Sequence, residues 1–159
     1  MSTITLRAAT IDDATHIAEV LLSSRTTFVP YAPIAHPDAD VRRWVRQVLI
    51  PSGGVTAACA GDSVVGVLAT VRESGVSWIN QLYIARGHTG QGIGTRLLNH
   101  ALVSLDRPVR LYTFQANTRA RSFYEQHGFK AIAFGDGSAN EERCPDVLYE
   151  LASTVDHGA

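Results

Sequence analysis

The chain holds 159 residues, 45% of them apolar and 18% charged, with a formal net charge of −1. That describes one domain of an ordinary globular protein with enough apolar material for a sizeable core. The near-neutral balance gives no electrostatic footprint for nucleic acid or an anionic membrane, and no apolar run approaches the ~18 residues of a membrane span.

Residues 1–7 lack the basic-then-apolar plan of a secretory leader. Cys59 and Cys144 are too few for a disulfide framework, so a reducing cytoplasm is the expected compartment. Cys59 sits in an apolar run and reads as a small buried hydrophobe. Cys144, in a loop with no histidine beside it, reads as structural rather than nucleophilic.

In chain order, residues 3–8 alternate apolar and polar side chains and predict a first strand. Thr10 followed by Asp13 marks a helix start, and Ile11, Ala14, Ile17, Ala18, Leu21 and Leu22 recur behind it at helical spacing. Fraying is expected over residues 23–28, because Pro30 and Pro33 remove amide donors and bias their predecessors away from helix. A second helix is predicted from Asp38 or Asp40, with Val41, Trp44, Val45, Val48 and Leu49 on one face. Pro51, Ser52, Gly53 and Gly54 end it.

Residues 55–60 and 63–71 are apolar runs around a turn at Gly61 and Asp62, which reads as a hairpin. A second turn at 73–75 leads into a strand at 76–84 that continues an antiparallel meander. After a glycine-dense loop, Ile93, Leu97, Leu98, Ala101, Leu102 and Leu105 form a helical stripe that stops at Arg107 and Pro108. Residues 109–114 then predict a strand, giving a right-handed βαβ unit with a parallel pair. Asn117 caps a further helix carrying Ala120, Phe123 and Tyr124, and Gly128 closes it. Strands at 129–134 and 147–151 flank a polar loop, and residues 153–159 read as a frayed tail. The order β–α–α–β–β–β–α–β–α–β–β is a single mixed α/β domain over residues 1–152.

The stretch from 78 to 98 is a strand, a glycine turn and an amphipathic helix. Gly90, Gly92 and Gly94 stand at alternate positions where left-handed backbone angles or close ligand approach are expected. The first amides of a helix lack internal partners and sit at the positive end of its dipole, which suits an anion such as a phosphate or pyrophosphate. It is not a Walker A loop, since no Lys–Ser/Thr follows the glycines. Nor does it fit a dinucleotide fingerprint, since Leu97 stands where the third glycine would be.

Leu82, Tyr83 and Ile84, the loop over 89–94, and the run Asn117, Ala120, Phe123, Tyr124, Glu125, Gly128 and Phe129 together resemble the GCN5-related N-acetyltransferase (GNAT) superfamily. The element order is similar to that family's over nearly the whole chain. The resemblance implies a mixed, mostly antiparallel sheet with one splayed parallel strand pair, flanked by about four helices. It implies an acyltransferase using acetyl-CoA, with no metal, and a cytoplasmic enzyme that acts on a small-molecule amine. Dimers are common in the family, so a homodimer is an expectation. Alternatives are a protein or peptide N-terminal or lysine acetyltransferase and a catalytically silent acyl-CoA sensor. A toxin acetylating charged tRNA is disfavoured by the net charge.

Carried over by position, the amides of Thr89, Gly90, Gln91, Gly92, Ile93, Gly94 and Thr95 would hold the pyrophosphate. The backbone of Leu82, Tyr83 and Ile84 would pair with the pantetheine arm like an added strand. The Leu82 amide would polarise the thioester carbonyl, Asn117 and Ala120 would border the arm, and Tyr124 would protonate the departing thiolate. Arg119 and Arg121 are candidates for the 3′-phosphate.

Two positions depart from the family pattern. Thr89 replaces a long Gln or Arg, a loss that Arg86 or Arg96 would have to make good, and Trp78 stands where many members carry a Glu base. An amine of pKa about 10 must still lose a proton. His36 and Glu142 are the candidate bases. Glu141, Asp146, Tyr31 and Asn80 are candidates for the acceptor site, an acidic and aromatic mouth for a cationic amine. Trp44 and Trp78 are expected in the core, Tyr83 beneath the cofactor strand, and Tyr112 in either the core or the acceptor pocket.

Overall fold

The computed structural model describes residues 3–25, 37–140 and 143–153. In chain order the elements are β1 (Ile4–Ala8), α1 (Ala14–Arg25), α2 (Asp38–Trp44), β2 (Val55–Ala60), β3 (Ser63–Glu73), β4 (Val76–Ile84), α3 (Ile93–Ser104), β5 (Val109–Phe114), α4 (Thr118–Gln126), β6 (Lys130–Gly135) and β7 (Asp146–Leu151). The strands form one sheet in the order β1-β2-β3-β4-β5-β7-β6. The β4–β5 pair is parallel and the other pairs are antiparallel. This is the order and the mixed sheet expected from the sequence.

The predicted helix start at Thr10 holds through Asp13. Its carboxylate accepts from the Thr10 amide (2.8 Å) and from both terminal nitrogens of Arg7 (2.7 Å each), so one side chain caps the helix and ties it to β1. A short 3-10 turn, Ile11–Asp13, precedes α1.

Strand alternation divides the core into layers. Ala57, Cys59, Val67 and Ala69 face α1 and the segment after α2. Ala58, Val65 and Leu68 face Ile93, Leu97 and Ala101 of α3. Gly66 belongs to that second face: a Cβ there would lie 3.0 Å from Leu97 and 3.2 Å from Ile93. Its hydrogen therefore lets the first turn of α3 settle onto the sheet. A third cluster joins Leu98 to Leu111, Tyr124, Phe129, Val147 and Tyr149 under α4.

Two irregularities shape the middle of the molecule. In β4, Ala69 pairs with Gln81 but Thr70 pairs with Ile79, so Asn80 is an extra residue bulged out of the ladder. On its other edge β4 pairs with β5 only at Ser77 and Trp78, after which the two strands diverge.

The second irregularity corrects a prediction. The spacing of residues 41–49 places Trp44 and Val48 on the same face as Val45 and Leu49. Instead the helix widens into a π turn over Val45–Leu49, in which the Ile50 amide donates to the Val45 carbonyl (3.1 Å). The extra residue in that turn rotates the face. Val45 and Leu49 are buried, while Trp44 is 37% and Val48 51% exposed. Trp78 likewise leaves the core: half-buried, it stacks on exposed Tyr112 with centroids 5.7 Å apart and planes 8° from parallel. That also places Tyr112 outside the core.

Candidate functional site

The glycine turn follows β4 directly. Gly90 (φ 77°) and Gly92 (φ 81°) take left-handed angles, and Gly92 is the N-cap of α3. A side chain at either would meet no atom within 4 Å, so the backbone angle, not crowding, requires glycine there. Gly94 differs from the expectation. It is helical, and a Cβ would stand an ordinary 3.5 Å from Phe123.

The first backbone bond of the helix runs from the Arg96 amide to the Gly92 carbonyl (3.1 Å). Among the described residues, none of the amides from Thr89 to Thr95 donates to a protein acceptor. Two left-handed glycines among unused amides suit an anion, and the helix dipole adds to it. Arg96 donates from one terminal nitrogen to the Ile4 carbonyl at 2.7 Å. Arg86 is exposed.

The chain just before this loop is also open. The Thr70 amide donates to Gly54 (2.9 Å) and the Ala85 amide to Val65 (2.8 Å). Antiparallel alternation between those two bonds turns the main-chain groups of Leu82 and Ile84 away from β3. They face the side on which β5 has diverged. The Ile84 carbonyl accepts from the Ser24 hydroxyl (3.1 Å), which ties the end of α1 to the mouth of the loop. Tyr83 packs against the α1 side of the sheet.

On α4, the Asn117 side-chain oxygen accepts from the Ala120 amide (3.1 Å), so it caps the helix while its side-chain nitrogen keeps two donors. Tyr124 is 8% exposed among Phe123, Phe129 and Tyr149. Burial, with a smaller contribution from nearby Tyr83, raises its pKa well above the usual phenol range. No hydrogen bond engages its hydroxyl among the described residues, and no fully enclosed polar atom there lacks a partner. The hydroxyl therefore reaches accessible space. The Arg121 Nε donates to the Tyr149 hydroxyl (3.1 Å), which donates to Glu125 (2.6 Å). Arg119 is exposed.

On the other side of β4 lies a concavity of about 410 Å³. Trp44, Val48, Leu49, Ser52 and Gly53 form one wall, and Ala69, Thr70, Val71, Asn80 and Gln81 form the other. The sequence pointed to Asn80 here but missed Trp44, Val48, Ser52 and Gly53, because the π turn that presents them leaves no periodic signal. Asp146 is elsewhere, at the end of β5, where it accepts from the Asn140 side chain at 3.2 Å. Gln115 also went unread; it binds the Gly135 and Asp146 carbonyls (2.9 and 3.1 Å) and holds β6 and β7 to the end of β5. Tyr31, His36, Glu141 and Glu142 lie outside the described residues. Among the described residues no group of His, Cys, Asp and Glu could hold a metal, and no helix is long and apolar enough to cross a membrane.

Residues 21–129, well over half of the chain, match the model of the acetyltransferase (GNAT) family. A search of curated proteins found no match. Among solved structures, the PaiA N-acetyltransferase of Thermoplasma acidophilum in complex with coenzyme A is similar at TM-score 0.71 and 20% identity, over 94% of this chain and 99% of that one. An Arabidopsis thaliana protein in complex with the bisubstrate analogue CoA-Ac-MVNAL is similar at TM-score 0.69 and 21% identity, over 94% and 98%. A histone acetyltransferase HPA2-related protein of Corynebacterium glutamicum is similar at TM-score 0.74 and 19% identity, over 99% of both. Identities this low speak to the fold.

Proposed function

Because the chain belongs to the acetyltransferase (GNAT) family, we propose that it moves an acetyl group from acetyl-CoA to the primary amine of a small molecule by direct attack. The observation that carries this reading is the run of undonated amides from Thr89 to Thr95. That run follows a strand whose Leu82 amide is turned away from β3. Such a surface fits a pyrophosphate joined to an extended arm, through backbone donors alone.

When bound, acetyl-CoA supplies an acetyl group already activated as a thioester. The chain's own part is positioning and proton handling. The Leu82 amide is free to donate to an acyl oxygen. Tyr124 keeps its proton because burial disfavours the phenolate, so it is a general acid for a departing thiolate. Asn117 retains donors for the arm, and exposed Arg119 is the better placed of the two arginines for a 3′-phosphate, since Arg121 is committed to Tyr149.

The concavity beside Asn80, about 410 Å³, is of small-molecule size, which favours a small acceptor in this reading. Among the described residues its lining carries no carboxylate, so the proton of the amine is assigned to water, His36 or Glu142. Substitution separates these: His36→Ala or Glu142→Gln should lower kcat if that residue is the base and leave it unchanged if water takes the proton. A cytoplasmic location and a homodimer belong to the same reading, checked by fractionation and light scattering. The deciding experiment is calorimetry with acetyl-CoA followed by thiol release across a panel of small amines. Absence of binding, or binding with no release on any amine, defeats the proposed activity.

A further inference from the structure

We infer that the concavity between the π turn after α2 and the bulge of β4 is the acceptor pocket, and that it takes a primary amine whose body is uncharged and apolar, an aromatic or branched group. This rests on the acetyltransferase reading above and adds to it the chemical class of the acceptor.

Three independent features converge on the space. The π turn at Val45–Leu49 turns Val48 out of the core that its spacing predicts, Trp44 stands partly exposed at the end of α2 just before it, and both line the concavity. The β4 bulge places Asn80 out of the ladder on the facing wall. Among the described residues the side-chain amides of Asn80 and Gln81 make no hydrogen bond, and the Trp44 ring no contact with another ring or cation. Irregular turns of both kinds re-aim side chains at the expense of regular pairing, and here they face one another. The volume of about 410 Å³ lies within the ~300–1,000 Å³ of small-molecule sites.

The lining decides the class. Trp44, Val48 and Val71 offer apolar surface, and Thr70, Asn80 and Gln81 offer neutral hydrogen-bonding groups; among the described residues none that lines the concavity is ionisable. A second ammonium group placed there would lie against apolar surface with no carboxylate among the described lining residues to pair with it. A flat or branched apolar body would instead cover the Trp44 indole. Asn80 precedes Leu82 by two strand residues, about 7 Å, a distance that a short alkyl linker spans. The reacting nitrogen can therefore stand beside Leu82 while the body occupies the pocket.

The test compares 2-phenylethylamine with putrescine as acceptors, measuring thiol release from acetyl-CoA by the wild type, Trp44→Ala and Val48→Asp. Because both side chains are substantially exposed, the variants should keep the wild-type melting temperature and acetyl-CoA affinity. The wild type should favour 2-phenylethylamine at least thirtyfold in kcat/KM. Trp44→Ala should cut that figure at least tenfold, chiefly through KM, and Val48→Asp should narrow the preference by admitting the diamine. Equal use of the two amines by the wild type, or an unchanged KM in Trp44→Ala, overturns the inference. If acetyl-CoA binds but no thiol is released with either amine, the pocket is judged separately by calorimetry of 2-phenylethylamine on the CoA-loaded protein. Weaker binding in Trp44→Ala then supports the pocket, and equal or absent binding overturns it.

Discussion

The two sides of β4 are built by different means. On the α3 side the site is made of backbone: seven consecutive amides freed by two left-handed glycines, and strand edges exposed where β5 turns away. On the α2 side it is made of side chains, Trp44 and Val48 facing Asn80 and Gln81 across a cleft. A main-chain site leaves a record in the sequence, because glycines at fixed offsets are the means of making it. A side-chain site of this kind does not, because any residue can line it once the backbone has been rotated. Substitutions should follow the same division, with steric and conformational changes acting on the first side and volume and polarity on the second.

The largest effect is expected at Tyr124, the side chain proposed above as the general acid. Tyr124→Phe removes the hydroxyl without emptying the packed ring site among Phe123, Phe129 and Tyr149. The kcat should fall by at least about a hundredfold, the lower end for general acid catalysis, with acetyl-CoA affinity unchanged by calorimetry. Since burial holds the phenol protonated above its usual range, the wild-type profile should show no alkaline loss from this group below about pH 10. A Tyr124→Phe enzyme of undiminished kcat would remove the general acid from the account and leave the side with binding alone.

Next comes Gly92→Val. The N-cap sits at φ 81° with open space around it, so the penalty is conformational, up to about 3 kcal/mol for a β-branched residue in that region. The loop escapes the penalty by abandoning the angles that aim its amides. Acetyl-CoA affinity should drop about a hundredfold, by calorimetry, while amine binding in the Trp44 pocket is retained. Parallel loss of both would show that the two sides are one structural unit.

What the sequence could disclose follows the same division. The strands and helices were legible because their apolar periods are regular, and Asn117 and Gly128 because caps have fixed chemistry. The Thr10–Asp13 signal was read correctly, although Arg7 as the third member was not, since it lies on another element. Val48 is misplaced because i→i+5 bonding over Val45–Leu49 breaks the 3.6-residue period, and Trp44 because it stands at the edge of the predicted stripe just before that turn. Gly66 passed unnoticed because its role is set by Leu97 and Ile93, some thirty residues on. Trp78 is misplaced in the core, and Tyr112 is left open between core and pocket, because nothing local in the sequence tells how far this part of the sheet is covered.

A smaller effect concerns how the α1 side is anchored. Arg7 holds the Asp13 carboxylate down to about pKa 2, below the ~3.9 of an unfolded aspartate. A lowered folded-state pKa gives stability that is full above the unfolded value and lost as pH falls through the folded one. The pair should thus contribute about 1 kcal/mol above pH 5, discounted because Arg7 is half-exposed. That contribution should fade between about pH 4 and pH 2. Urea titrations of wild type and Asp13→Asn should differ at pH 6 and converge near pH 2; a gap that persists at pH 2 would assign the difference to capping alone.

The smallest effect is the one that tests the contrast most directly. Thr89 stands where the family resemblance implies a long polar side chain, and here it is exposed with no side-chain hydrogen bond among the described residues. If the cradle works through its amides, Thr89→Ala leaves every donor in place and should weaken acetyl-CoA binding no more than about threefold, under 1 kcal/mol. Thr89→Arg adds a cation above the amides and should tighten binding by a similar amount, in a manner that fades with added salt. A tenfold loss in Thr89→Ala would mean that the hydroxyl itself is a ligand. The α3 side would then be partly side-chain-built, and the division between the two faces of β4 would be one of degree.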